Sequence, residues 1–320
     1  MALFSPSESP AVVVKEIDLT GGVPNVQSTT GAIVGNFRWG PAEKRSLIAN
    51  ETELVEKFAA PDSDTTIDFH SASYFLRYSS ALQVVRAIDG NADNAISVSA
   101  DSGAGILSAV IVKNEDDFAS QSSALTAGNQ TFIGRYPGAL GNDLQVQMCH
   151  ANSTAYNAWG FKNEFDAVPA TSNFLTAKNG SNDEVHTVVI DKNGKFTGTK
   201  NAVLERYAFL SLAKDAKADD GTSIYVKDVI NERSEYIHMA GFDSAVVANI
   251  TKSGRVALDS GDNFLSTGAS LFNRHFTFNF SGGSNSNALT TTEFLSGFDL
   301  FEDKDQVEID FLIAPGMTTT

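Results

Sequence analysis

The alternation of hydrophobic and polar residues changes character near residue 90 and again near residue 283. In the first region, the β-branched and aromatic residues of 29–40 predict a strand. A nearly continuous apolar run at 81–89 predicts a second strand that is central in a sheet. Two segments with helical spacing separate these strands, and this order favours an α/β unit with parallel strands.

The two helical segments carry recognisable signals. Asn50 precedes Glu53 by three residues, which is typical of a capped helix start, so residues 50–58 are predicted to be helical. Residues 64–80 are predicted to form a longer amphipathic helix. Its buried side is predicted to contain Ile67, Ala72, Phe75 and Leu76.

The middle region has a different texture. Small polar residues at 90–105 indicate a linker and a domain boundary. Alternation predicts strands at 144–150, 234–240 and 274–283 and a hairpin at 184–200, which turns at Asn193-Gly194. Residues 201–217 and 223–232 are predicted to be helical, and residues 151–183 are rich in loops. After residue 283, a helix at 290–303 and an apolar strand at 307–316 indicate a return to α/β structure.

Composition excludes several classes of function. The formal net charge is −16, which disfavours binding to nucleic acid or to an anionic membrane surface. The single cysteine, Cys149, allows no intrachain disulfide. We find no pattern of a secretory signal or of a membrane-spanning segment, so we expect a soluble protein made in a cytoplasm.

No constellation of residues predicts catalysis. None of the five histidines has a partner at the spacing of a helical zinc site, and no nucleophile elbow or phosphate-binding loop is present. We therefore predict a non-enzymatic protein without a cofactor or metal. In "GNFRWGP", alternation places Phe37 and Trp39 on one buried strand face and Arg38 on the other.

Several stretches together resemble the tail sheath proteins of contractile-tailed bacteriophages. They are "SPAVVVKEIDLT" (9–20), "TGAIVGNFRWGPAEK" (30–44), "DFHSASYFLRYSSALQVVRAID" (68–89), "GRYPGALGNDLQVQM" (134–148), "FSGGSNSN" (280–287) and "FDLFEDKDQVEIDFLIAPG" (298–316). The combination of "GNFRWGP" with "LRYSSALQVVRA" is the most specific part of the resemblance.

The resemblance implies a mixed α/β fold with a discontinuous core domain. The implied organisation is an extended N-terminal arm at 1–22, a first core segment at 23–89, an inserted mixed α/β protruding domain at 90–283, and a second core segment at 284–320. The core looks incomplete, because the C-terminal part and arm that are expected in this family do not follow residue 320.

The resemblance also implies a structural role. Subunits of this kind stack as hexameric rings around an inner tail tube, and contraction drives the tube through the host envelope. The implied partners are other copies of the sheath protein, the inner tube protein, and baseplate and tail terminator proteins, without nucleic acid or membrane. The implied location is the phage tail, after assembly in the host cytoplasm.

Two sets of residues are candidates for contacts. The resemblance implies that a strand in the N-terminal arm is exchanged between subunits. Its residues are Val12, Val13, Val14, Lys15, Glu16 and Ile17. Arg38, Lys44 and Arg45 are rare cations on an acidic chain, so we expect them to meet carboxylates within the core domain or across a subunit contact. An alternative function is a virion binding module that recognises a host-surface receptor or glycan through residues 151–183.

Overall fold

The computed structural model describes residues 29–99, 109–127, 131–241, 275–285 and 289–315. This part of the chain has a mixed α/β fold with two sheets, as predicted. The strands are β1 (Gly31–Gly35), β2 (Ser46–Ile48), β3 (Leu82–Arg86), β4 (Ile96–Ser99), β5 (Phe132–Gly134), β6 (Leu144–His150), β7 (Glu184–Asp191), β8 (Ala202–Ser211), β9 (Ile237–Met239), β10 (Phe276–Ser281) and β11 (Phe311–Ile313). The helices are α1 (Glu51–Phe58), α2 (Thr66–Leu76), α3 (Glu115–Ala127), α4 (Ser153–Ala158), α5 (Asn173–Thr176), α6 (Val226–Arg233) and α7 (Thr291–Asp299).

The small sheet has the order β11-β1-β3-β2 and draws on both ends of the described chain. β1 is parallel to β3 and to β11, whereas β2 is antiparallel to β3. The predicted parallel pairing of the first strand with residues 81–89 is therefore confirmed, and β3 is a central strand.

Helices cover both faces of the small sheet. Ile33 and Val84 pack against α1 and α2 on one face, while Ala32 and Val34 pack against α7 on the other. α7 lies very close to the sheet, since a Cβ atom on Gly297 would stand 2.4 Å from Val34. This three-layer arrangement explains why the strands are apolar on both sides.

Local signals explain where the helices begin. The Asn50 side chain accepts a hydrogen bond from the Glu53 backbone N–H at 2.9 Å, so the predicted cap of α1 is confirmed.

The prediction that Ile67 belongs to the buried side of α2 is wrong. Ile67 is 67% exposed, because α2 turns Asp68, Phe69 and Ala72 toward the sheet instead.

The large sheet has the order β8-β7-β6-β10-β4-β5-β9, and every pair in it is antiparallel. Its central strands are buried on both faces. In β7, Val185 and Val189 join the main core, while Val188 and Ile190 face a second cluster around Trp159. The α4 and α5 helices of the loop-rich segment 151–183 add to these two clusters.

Two predictions of secondary structure are wrong. Residues 202–211, which fall in a predicted helix, form β8, because pairing along β7 overrides the helix propensity of Ala, Leu, Glu and Arg. The predicted strand at 29–40 ends at Gly35, and residues 36–41 form an irregular loop. Because residues 202–211 form β8, the second strand of the hairpin that starts with β7 is β8 and does not begin directly after Gly194. Residues 192–201 form turns between these two strands.

None of the helices in the described ranges is long and apolar enough to cross a membrane. The small sheet is built from residues 31–86 and 311–313, and the large sheet from residues 96–281. The domain boundaries at 22/23, 89/90 and 283/284 stay a prediction.

Candidate assembly surface

The loop at residues 36–41 connects the cores of the two sheets. Phe37 enters the core of the small sheet, where its ring centroid lies 4.9 Å from that of Phe58. Trp39 enters the core of the large sheet and makes an edge contact with Tyr136 at 5.6 Å. Both aromatics are buried, as predicted, but they do not share a strand face. Each side chain belongs to a different core, so the loop joins the two.

Arg86, the last residue of β3, holds this loop from inside. Its Nε donates to the carbonyl of Phe37 at 2.7 Å, and its Nη1 donates to that of Gly40 at 3.0 Å. Its Nη2 donates at 2.8 Å to the carbonyl of Pro137, which lies between β5 and β6 of the large sheet. Burial lowers the pKa of Arg86 to about 9, so the guanidinium is still charged at neutral pH. One side chain thus ties the two sheets together.

Two of the three candidate cations lie beside carboxylates of the same chain. Arg38 Nε is 3.5 Å from the Asp62 carboxylate. Lys44 Nζ is 3.1 Å from Asp116 and 3.4 Å from Glu115, both at the start of α3. The hydrogen bond that Lys44 donates to Asp116 is the main reason that the pKa of Lys44 is raised. Lys44 therefore links the small-sheet region to a helix of the large-sheet region.

Arg45 has neutral partners among the described residues. It donates to the carbonyl of Leu300 at 3.0 Å and to the Gln306 side chain at 3.0 Å. The predicted exchanged strand at residues 12–17 lies outside the described residues. Its exchange, and any contact of the three cations with another subunit, stay predictions.

The outer edge of β11 is unpaired by any described strand. Phe311 is 59% exposed and Leu312 is 54% exposed, although successive residues of a strand face opposite sides of the sheet. The N–H of Phe311 donates toward the Thr30 carbonyl on the β1 side, so the N–H of Leu312 points to the open edge. This edge offers both backbone groups and apolar side chains to a further strand.

The large hydrophobic side chains that are exposed in the described ranges all belong to the small-sheet region. They are Leu47, Val55, Ile67, Tyr74, Tyr78, Leu295, Phe311 and Leu312. Described residues of the large-sheet region contribute none to this set. These exposed side chains are spread over α1, α2, α7 and the two edge strands β2 and β11, so they distinguish the region without forming one continuous patch.

Two histidines of the large-sheet region pack against aromatic rings. His186 stacks on Phe165 with ring centroids 4.2 Å apart, and His238 stacks on Phe118 at 4.0 Å. No group of three or more His, Cys, Asp or Glu side chains in the described ranges is placed to hold a metal ion. Burial raises the pKa of the Cys149 thiol to about 12, which keeps it protonated and unreactive at neutral pH.

Sequence reasoning missed Arg86 and the exposed side of α2. A signal for Arg86 was available, because an arginine at the end of an apolar run needs several hydrogen-bond acceptors if it is buried. No comparable signal marks α2. Its apolar residues nearly surround the helix, so periodicity does not tell which of them face the sheet.

Comparison with curated proteins gives a consistent result. The chain is 34% identical over 204 residues to the tail sheath protein of Salmonella phage ViI, which covers 63% of this chain and 29% of that protein. It is 41% identical over 81 residues to the tail sheath protein of Enterobacteria phage T4, which covers 25% of this chain and 12% of that protein. The chain thus spans less than a third of the length of these relatives. No family model matches it.

Among solved structures, the sheath tail proteins of Listeria innocua and Desulfitobacterium hafniense align with TM-scores of 0.42 at 10% and 11% identity. These alignments cover 89% and 95% of this chain, and 40% and 45% of the other chains. The resemblance predicted from the sequence is confirmed by the curated relatives: this chain is similar to tail sheath proteins of bacteriophages, over 63% of its length in the case of phage ViI.

Proposed function

We propose that this chain is, or is part of, a structural, non-enzymatic subunit of a contractile phage tail sheath. Its similarity to curated tail sheath proteins supports the family role. The observation that carries the mechanism is the open edge of β11, where Phe311 and Leu312 are exposed on opposite faces of the small sheet.

In this proposal, a strand from another copy adds to the outer edge of β11. The added strand is residues 12–17, whose valines and isoleucine suit a position between two apolar faces. Main-chain hydrogen bonds then link the subunits, which stack as hexameric rings around the inner tube and reorient during contraction. The tube, baseplate and tail terminator proteins are the other proposed partners, and the phage tail is the proposed location.

Proline at residue 312 tests the edge directly. Leu312→Pro removes the outward N–H, while the inward N–H of Phe311 remains for pairing with β1. Leu312→Ala is the matched control, because it also shortens the side chain but keeps the N–H. We expect the wild-type chain and the alanine variant to self-associate in sedimentation velocity, and the proline variant to remain monomeric.

Deletion of residues 1–20 tests the other half of the contact. The deleted chain is expected to lose self-association in the same way as Leu312→Pro, and an added peptide of residues 9–20 is expected to bind it. Equal association of the alanine and proline variants, or undiminished association after the deletion, would refute strand addition at this edge.

A further inference from the structure

The outward side of α2 is apolar where a surface helix is usually polar. Ile67 is 67% exposed, Tyr74 is 58% exposed and Tyr78, just past the last helical residue, is 93% exposed. Spacings of seven and four residues place these three side chains in one row along the helix. The row lies opposite the buried Phe69 and Ala72, so it does not contribute to the core.

A cation accompanies this row. The Arg77 guanidinium lies over the Tyr74 ring, 4.9 Å from its centroid, in the geometry of a cation–π contact. None of the ion pairs among the described residues involves Arg77. We call Ile67, Tyr74, Arg77 and Tyr78 the α2 patch. It has an apolar centre and an arginine that no described carboxylate neutralises.

The opposite face of the small sheet has the complementary character. Residues 302–310, which follow α7, contain the exposed carboxylates of Glu302, Asp303, Asp305, Glu308 and Asp310. Val307 and Ile309 pack under α7, so the segment is anchored on this face. No ion pair among the described residues involves these carboxylates. Leu295 on α7, which covers this same face, is a further exposed apolar side chain.

We propose that the α2 patch of one copy docks on the acidic segment 302–310 and Leu295 of a second copy. The small sheet stands between the two surfaces, since α2 covers one face and α7 the other. They therefore cannot meet within one chain. A contact between two different surfaces of identical subunits is heterologous, and its repetition builds a ring where the rotation closes or an open helical assembly where it does not.

This inference rests on the proposed sheath role and adds a second contact to it. Strand addition at β11 uses backbone groups and gives a flexible link, whereas the α2 patch uses side chains and fixes how neighbouring copies face each other. Charge complementarity between Arg77 and the acidic segment gives the contact its direction.

Charge exchange between the two surfaces tests the proposal. In the full chain, Arg77→Glu is expected to weaken self-association roughly tenfold in sedimentation equilibrium, because a carboxylate then faces carboxylates. Reversal of the acidic segment by Asp305→Lys with Glu308→Lys is expected to weaken it similarly. The chain that carries all three substitutions is expected to recover most of the lost affinity.

Arg206→Glu is the matched control, since Arg206 is an exposed arginine on β8 of the large sheet. It is expected to leave association unchanged. The inference is overturned if Arg206→Glu weakens association as much as Arg77→Glu, or if the triple variant is no better than Arg77→Glu alone. All substituted residues are exposed, so circular dichroism melting curves should match the wild type.

The same assay separates this inference from the proposed function. If Leu312→Pro abolishes association and the charge variants have no effect, strand addition stands and the α2 contact is wrong. If the charge variants behave as expected and Leu312→Pro associates normally, the α2 contact stands without strand addition. A wild-type chain that stays monomeric at all accessible concentrations would overturn both.

Discussion

The two sheets differ in what they leave exposed. The small sheet is covered by helices on both faces, yet its region exposes eight large hydrophobic side chains among the described residues. The large sheet has a more extensive core and contributes none to that set. Among the described residues, the large-sheet region buries its large hydrophobic side chains internally, whereas the small-sheet region leaves several of its own exposed. The contrast supports the proposed location of the subunit contacts on the small-sheet region.

The two regions are joined because the loop after β1 contributes a side chain to the core of the large sheet. Substitution of that side chain, Trp39, tests this connection. Trp39→Ala removes a buried indole from the large-sheet core although the residue belongs to the loop after β1. We expect a loss of about 4 kcal/mol in the free energy of unfolding, measured by urea titration. Leu47→Ala, at an exposed side chain of β2, is the control and should change it by less than about 0.5 kcal/mol. A loss below about 1 kcal/mol for Trp39→Ala would contradict the shared core.

Acid should destabilise the large-sheet region through His238. Neither ring nitrogen of His238 has a hydrogen-bond partner, and burial lowers its pKa to about 3. The neutral form is therefore favoured in the folded state. Its contribution to the free energy of unfolding is full above pH 6.5 and is lost as the pH falls toward 3. We expect the free energy of unfolding to decrease by about 3 kcal/mol between pH 6.5 and 4.

His238→Phe keeps the stacking on Phe118 and removes the titration. Urea titrations of the wild type and this variant at pH 7, 5.5 and 4 measure the difference. If the free energy of unfolding depends on pH equally in the wild type and the variant, His238 is not the cause of the acid destabilisation.

Acid should act in the opposite direction on the small-sheet region through Asp68. This buried α2 carboxyl accepts a hydrogen bond from the Asn36 backbone, but burial dominates and raises its pKa to about 6. The protonated form is favoured in the folded state. The contribution of protonated Asp68 to the free energy of unfolding is full below about pH 4 and is lost as the pH rises through 6.

Asp68→Asn is therefore expected to stabilise the fold by about 2 kcal/mol at pH 7 and to have little effect at pH 4. Thermal unfolding at the two pH values measures this, and the exposed Asp64→Asn is the control. Stabilisation of equal size at both pH values would rule out titration of Asp68 as the cause.

The smallest effect is expected at the surface ion pairs between the two regions. Lys44 bridges to Glu115 and Asp116, but all three side chains are substantially exposed. Lys44→Ala should cost no more than about 0.5 kcal/mol, and added salt should reduce even this difference. A double-mutant cycle with Asp116→Ala measures the coupling. A coupling above about 2 kcal/mol would mean that surface charge, rather than shared cores, joins the regions.

Parts of the fold follow from local sequence, and other parts do not. The apolar run of β3 and the cap at Asn50 identify buried strand and helix start without reference to the rest of the chain. β8 could not be identified in this way, since its residues favour helix and only the pairing with β7 makes them extended. A local sequence signal predicts secondary structure correctly where the residues of that segment alone determine its conformation.

The candidate surface was harder to predict than the fold. The exposure of Phe311 and Leu312 depends on β11 being at a sheet edge, which is a property of the whole topology. The row on α2 depends on which side of a largely apolar helix meets the sheet. Arg38 and Lys44 illustrate the same limit. The sequence indicates that these cations lie near carboxylates, but only the fold shows which carboxylates they are.

The hydrogen bonds of Arg86 have a mechanical consequence. Its guanidinium connects β3 to carbonyl oxygens on both sides of the joint between the sheets, and its rigid planar fork fixes the directions of these bonds, which the single ammonium nitrogen of a lysine cannot do. A displacement applied to the small sheet is transmitted through this side chain to Pro137. If the small sheets reorient in the proposed contraction, this connection is expected to carry the large sheet along with them.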